Sequence, residues 1–144
     1  MSHCETDNFS EALERLVALI RRLRAPDGCP WDQKQTSRDI GRYLLDETHE
    51  VLDALEEDDA AHLREELGDL LFQILFIAEI EKEQRRFTLA DVMGDIRDKM
   101  IRRHPHVFGD VKVSGVEDVK ANWQDIKKNE RGGKSTDEDP LARI

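Results

Sequence analysis

The sequence predicts an all-α fold, a bundle of about five helices, and three observations lead there. Apolar residues recur at three- and four-residue spacing in several long segments. No segment alternates apolar and polar residues over strand length with turn signals at both ends. Prolines and glycines fall between the periodic segments, apart from Gly41, Gly68 and Gly94. A length of 144 residues with 38% hydrophobic content supports one domain with a modest core.

Phe9 to Leu23 forms the first predicted helix, with Leu13, Leu16, Val17 and Ile20 on its apolar stripe and Ser10 as N-cap. The stretch from Arg24 to Thr36 contains two prolines and a glycine and reads as a loop carrying Trp31. A second helix over about Arg38–Glu57 and a third over about Ala61–Gln84 flank the polar Asp58-Asp59 turn. So short a connection makes them an antiparallel αα-hairpin. Thr88 caps a fourth helix running to about Arg103, where His104-Pro105 stops it, and Val116 to Lys128 supplies a fifth. The helical domain is therefore expected over residues 1–130. The tail 131–144, with Gly132-Gly133 and an acidic run, carries too little apolar surface to offset its ordering entropy and is expected to be disordered.

A formal charge of −10 disfavours nucleic acid and membrane surfaces as partners, since both are anionic. The longest uncharged apolar stretch, Leu70 to Ala78, falls far short of the roughly 20 residues needed to cross a bilayer. Cys4 and Cys29 lack C-x-x-C spacing, and no secretory leader pattern precedes the first helix. The chain therefore reads as cytoplasmic.

Four acidic residues stand out against this background. At about 100° per residue, Leu63, Leu67, Leu70, Leu71 and Ile74 make the expected core face of the third helix. Glu66 and Asp69 line its shoulder, which continues with Gln73, Phe76 and Ile80. On the second helix Leu44, Leu45, Val51, Leu52 and Leu55 make the core face, and Glu47 and Glu50 lie on the adjacent stripe with Tyr43 and Ala54. Two acidic pairs at i, i+3 spacing can thus face each other across the hairpin. Buried carboxylates cost several kcal/mol each and repel one another. A divalent cation answers both problems, and an all-oxygen donor set suits Mg²⁺, with Mn²⁺ as substitute. The competing readings are solvated helix acids for Glu47 and Glu50, and a buried ion pair with Arg64 or Arg103 for Glu66 and Asp69.

The sequence D-E-T-H-E at 46–50 followed by E-L-G-D at 66–69 resembles the E-E-x-x-E then E-x-x-D signature of the MazG pyrophosphohydrolases. The segments G-C-P-W-D-Q-K-Q-T at 28–36 and D-K-M-I-R-R-H-P-H-V-F-G-D at 98–110 are also similar to MazG sequence, so the likeness covers about Leu16 to Glu130. The resemblance implies a helical homodimer or larger homo-oligomer. It also implies Mg²⁺ bound by Glu47, Glu50, Glu66 and Asp69, and hydrolysis of nucleoside triphosphates to monophosphate and pyrophosphate in nucleotide-pool house-cleaning. The first Glu of the signature is Asp46 here, on the opposite face of the helical wheel, and is left off the metal. Lys99, Arg102, Arg103 and His104 form a basic island that equally suits the negative end of a helix dipole. By resemblance, Lys99 and Arg103 become phosphate-binding candidates and Trp123 a nucleobase-stacking one, against a packing role. His104 and His106, separated by proline with no third histidine nearby, read as structural.

Two rivals remain open on the sequence. A non-catalytic helical dimerisation or regulatory module needs no metal at all. A di-iron carboxylate bundle is prompted by Asp46-x-x-His49 and Asp59-x-x-His62.

Overall fold

The structure, a computed structural model, describes residues 3–131. The described residues contain seven helices and no strand: α1 (His3–Arg24), α2 (Pro30–Lys34), α3 (Ser37–Glu57), α4 (Ala60–Glu83), α5 (Leu89–Arg103), α6 (Pro105–Phe108) and α7 (Val116–Glu130). They fall into two compact units, which divide between Val92 and Met93. The five expected helices are all present, and the two additions, α2 and α6, are each a turn or so long. Both begin with proline, whose fixed φ suits a first helical residue.

Local chemistry accounts for the helix boundaries. Thr36 and Asp39 form a reciprocal capping box at the start of α3. Asp58 ends α3 in the left-handed region at φ 52°, and Asp59 then caps α4 by accepting from the Ala61 and His62 amides. Thr88 and Asp91 repeat the reciprocal cap at α5. The first boundary differs from expectation. Helix α1 begins at His3, so Ser10 is an interior residue and not a cap.

In the first unit, α3 and α4 form the expected hairpin, and α1 packs on α4. The core is Ile20 of α1, Ile40 of α3, and Leu75, Phe76 and Ile80 of α4, with Leu13, Leu16, Val17, Tyr43, Phe72, Ile77 and Leu89 around it. Complete burial of a side chain such as Phe76 contributes about 2–3 kcal/mol.

This corrects the predicted core face of the hairpin. Leu67, Leu71 and Ile74 keep 41–48% of their surface exposed, and Leu45, Leu52 and Leu55 keep more than half. Helical periodicity identifies an apolar stripe but not what covers it. The buried α4 residues are confined to positions 75–81, and the stripe toward the hairpin turn has no third helix of its unit sealing it.

The segment expected as a loop is a pinned connection containing α2. Gly28 sits where a Cβ would collide with the carbonyl oxygens of Arg22 and Leu23. Arg24, whose side chain is 9% exposed, donates to the carbonyls of Asp32 (2.6 Å) and Gln35 (3.1 Å). It also makes a two-pronged pair with Glu83 (2.9 and 2.8 Å) and lies over the Phe76 ring. The end of α1, the α2 segment and the end of α4 are joined through one guanidinium. Buried Glu79 and Glu81 extend this polar belt. Glu79 accepts from Arg21 (3.0 Å), and Glu81 accepts from Ser37 (2.6 Å). Arg86 Nε lies 2.6 Å from the other Glu81 oxygen, an ion pair without hydrogen-bond geometry.

The second unit holds the rest of α5, with α6 and α7. Glu130 at the end of α7 accepts from Arg102 (2.6 Å) and Arg103 (2.9 Å). Ser114 bonds the Asp118 carboxylate through both its amide and its hydroxyl at the start of α7. The expected disorder of the tail beyond Arg131 lies outside the described residues.

Candidate metal centre and active site

The hairpin brings together the acids that the sequence placed on facing stripes. Ligand-type oxygens of Glu47, Glu66 and Asp69 lie within 4.8 Å of one another. A second group, Glu50, His62 and Glu66, satisfies the same limit, so Glu66 belongs to both. Glu66 is the most enclosed of the four carboxylates described by their surroundings, with 12% of its side chain exposed, and Glu47 is half-buried. Glu50 is exposed, and so is Asp69. The exposure of Asp69 corrects its expected burial, and the cause is local: its neighbours Leu67 and Leu71 are themselves open.

The electrostatics match the crowding. Burial, then the charges of Asp69, Glu66, Glu50 and Asp46, pushes the Glu47 carboxyl above its usual range. Neither expected alternative partner neutralises the group. Among the described residues Glu66 pairs only with His62, while Arg103 is engaged by Glu130. Asp46 is exposed and lies in neither cluster, as its wheel position predicts.

His62 is the residue that sequence reasoning missed at this site. Its Nδ1 lies 2.8 Å from Glu57 and its Nε2 3.2 Å from Glu66. The Glu57 bond raises its ring pKa against the opposing effect of burial, with Glu66 adding to the rise. The available signal was the i, i+4 spacing from His62 to Glu66 on one helix. The Asp59-x-x-His62 pairing drew attention elsewhere, and the structure dissolves that pair, because the Asp59 carboxylate is spent on the α4 cap.

Chemically, this is a set of hard oxygen donors converging from two adjacent helices with one imidazole at the edge. Such a set fits a divalent cation, which supplies the positive charge that the described side chains do not. A sequence profile described as the MazG nucleotide pyrophosphohydrolase domain matches residues 35–108, the stretch that contains all four carboxylates. The chain belongs to the MazG family.

Within the family it is 48% identical over 124 residues to the nucleoside triphosphate pyrophosphohydrolase of Escherichia coli strain K12, covering 85% of this chain and 47% of that protein. It is 52% identical over 114 residues to YabN of Bacillus subtilis strain 168, covering 79% of this chain and 23% of that protein. The chain thus spans about half or less of the length of these curated relatives. A MazG-related protein of Thermotoga maritima, known from its crystal structure, superposes with a TM-score of 0.68 at 30% identity, over 80% of this chain and 98% of that one. The all-α fold is therefore that of a solved MazG relative.

The remaining predicted residues lie in the second unit. Arg103 stacks over the Trp123 ring at 5.3 Å and bonds Glu130, whose carboxyl the Arg103 and Arg102 hydrogen bonds hold at about 2. His104 meets Trp123 edge-on at 5.2 Å while its Nδ1 lies against the Met100 carbonyl. Trp123 is half-buried among these groups. Lys99, one turn before Arg103 on α5, is half-buried and has no ion pair among the described residues. The Nε of Arg103 and Nδ1 of His106 are buried without a hydrogen-bond partner.

Proposed function

We propose that this chain is a Mg²⁺-dependent nucleoside triphosphate pyrophosphohydrolase that clears nucleotides from the cytoplasmic pool. The observation that carries the reading is that Glu66 joins two ligand-type groups, Glu47–Glu66–Asp69 and Glu50–His62–Glu66, with no arginine or lysine paired to Glu66 among the described residues. These four residues hold the ion, and Mn²⁺ substitutes for Mg²⁺. When bound, the ion neutralises phosphate charge and makes a water more acidic.

In the reaction, water adds to the α-phosphorus and the bond from that phosphorus to the bridging oxygen breaks. The products are the nucleoside monophosphate and pyrophosphate, with one proton released. Catalysis of this kind rests on positioning and on electrostatic complementarity to the transition state. Lys99 and Arg103 provide counter-charge to the triphosphate, and Trp123 offers an aromatic face to the base. The names of the relatives support the substrate class.

The chain works as a homodimer. The open apolar stripe of Leu45, Leu52, Leu67 and Leu71 supports this reading, since a second copy would seal what the first unit leaves uncovered. No described helix is long and apolar enough to cross a membrane.

The test is a screen of pyrophosphate release from ribo- and deoxynucleoside triphosphates with and without Mg²⁺. Release that depends on Mg²⁺ and is lost in Glu50→Gln and Asp69→Asn is the expected result. Absence of release from every nucleotide would leave the chain a non-catalytic helical module.

A further inference from the structure

His62 stands where the α3–α4 hairpin closes, and the turn itself fixes it there. Asp58 ends α3 in the left-handed region, and the Asp59 carboxylate accepts from the His62 amide as it caps α4. The reversal sets Glu57, the last residue of α3, beside the first turn of α4, where its carboxylate lies 2.8 Å from His62 Nδ1. The other ring nitrogen, Nε2, lies 3.2 Å from Glu66 Oε1, one turn further along α4. One imidazole thus ties the end of α3 to Glu66.

These residues share the faces that carry the acidic groups. Seven residues return a helix to within about 20° of the same direction. Glu57 follows Glu50 by seven on α3, and Asp69 follows His62 by seven on α4. Glu57 and His62 are therefore the next layer of the same seam, toward the turn. His62 offers a ring nitrogen within 4.8 Å of oxygens of Glu50 and Glu66.

Glu66 is the carboxylate with most to gain from a fixed direction. It is common to both ligand-type groups, it is the most enclosed of the acids there, and its ion-pair partner among the described residues is His62. A glutamate side chain turns about several bonds, and an ion that had to order them on arrival would bind more weakly by that cost. Tying one Glu66 oxygen to Nε2 orders the carboxylate beforehand. A ring that donates at both nitrogens is an imidazolium. The Glu57 carboxylate offsets that charge, so the ring directs Glu66 without taking the place of the cation.

We propose that His62, braced by Glu57, is a positioning residue that fixes the Glu66 carboxylate for the divalent ion. The assignment rests on the Mg²⁺ reading of the carboxylates and adds to it two residues outside the acidic signature. Outer partners that orient a ligand govern metal affinity as well as the ligands' own chemistry does.

The experiment is calorimetric titration of the whole chain with Mg²⁺ at one pH, with melting temperatures in chelator to report the fold. His62→Ala should weaken Mg²⁺ binding by about 10-fold. His62→Gln, which keeps an N–H donor, should restore part of it. Glu57→Ala should weaken binding by acting through the ring, so adding it to His62→Ala should weaken binding no further. His49→Ala, at an exposed histidine of α3 outside both ligand-type groups, should change nothing. A merely structural His62 would lower the melting temperature in chelator and leave the Mg²⁺ affinity of the folded chain as it was. Unchanged or tighter Mg²⁺ binding in His62→Ala overturns the assignment, as does equal weakening by His49→Ala or a further loss in the double variant. A wild type that binds no Mg²⁺ overturns both the assignment and the metal reading beneath it. Mg²⁺ binding that depends on His62 supports the assignment even where no nucleotide is hydrolysed, an outcome that sinks pyrophosphohydrolysis alone.

Discussion

Substituting Glu47 by Gln should make the metal-free protein more stable while disabling it. Glu66 and Asp69 each place an oxygen within 4.8 Å of Glu47. At that separation two unit charges repel by about 1 kcal/mol even with water-like screening, so two neighbours cost about 2 kcal/mol. Relief of that cost corresponds to a rise of about 5–10 °C in melting temperature for a chain of this size. The pH dependence has a definite sign. The folded-state pKa of Glu47 is raised, so the folded protein holds its proton where the unfolded chain has lost it. The destabilisation is therefore fully present above that raised pKa and vanishes as the pH falls through the ordinary carboxylate range. Thermal unfolding of wild type and variant at one chain concentration, in chelator and in saturating Mg²⁺, measures both effects. The variant should be the more stable in chelator near neutrality, and the two should converge in acid. With Mg²⁺ the wild type should gain more than the variant. A variant less stable than wild type in chelator, or an equal Mg²⁺ gain in both, would refute the reasoning that crowded charge awaits a cation.

Three further outcomes follow from the same geometry. Glu50→Gln and Asp69→Asn should lower Mg²⁺-dependent pyrophosphate release by about 100-fold or more with circular dichroism unchanged, because each removes a proposed ligand from an exposed position without disturbing the core. Full activity in either variant ends the four-carboxylate arrangement. Leu67→Glu and Leu71→Glu should convert the proposed dimer to monomer in light scattering, since each puts a charge into the open apolar stripe; a mass unchanged from that of the wild type refutes the stripe as the interface. Arg24→Ala should cost about 2 kcal/mol of stability in chemical denaturation, having removed the partner of Glu83 and the donor to two loop carbonyls. It should also loosen the Trp31 segment, read as faster proteolysis between residues 25 and 36.

The helices were legible because their signals are local. Thr36 with Asp39, Asp59 before α4, Thr88 with Asp91 and the two X-Pro breaks act within a few residues of where they stand. Ser10 misled for the same reason: a capping side chain in the right place has no effect when the preceding residues continue the helix. The four carboxylates were legible as well, because i, i+3 spacing on two helices joined by a two-residue turn leaves their stripes little choice but to meet.

Which apolar residues are buried was another matter, and so was what neutralises what. Helical periodicity put Leu67 and Leu71 on the core face and Phe76 on the shoulder, yet of the three only Phe76 is in the core, because burial depends on a third helix arriving from far along the chain. Likewise Arg103 and Arg38 are equivalent letters in a sequence. The structure gives one a glutamate from the end of α7 and leaves the other exposed, without an ion pair among the described residues. Sequence alone determined the helices, the family likeness and the acidic signature, since each is written in short-range spacing. Tertiary structure alone decided the core, the place of His62 beside Glu66 and the pairing of Arg103 with Glu130, since burial and charge pairing depend on how the helices pack.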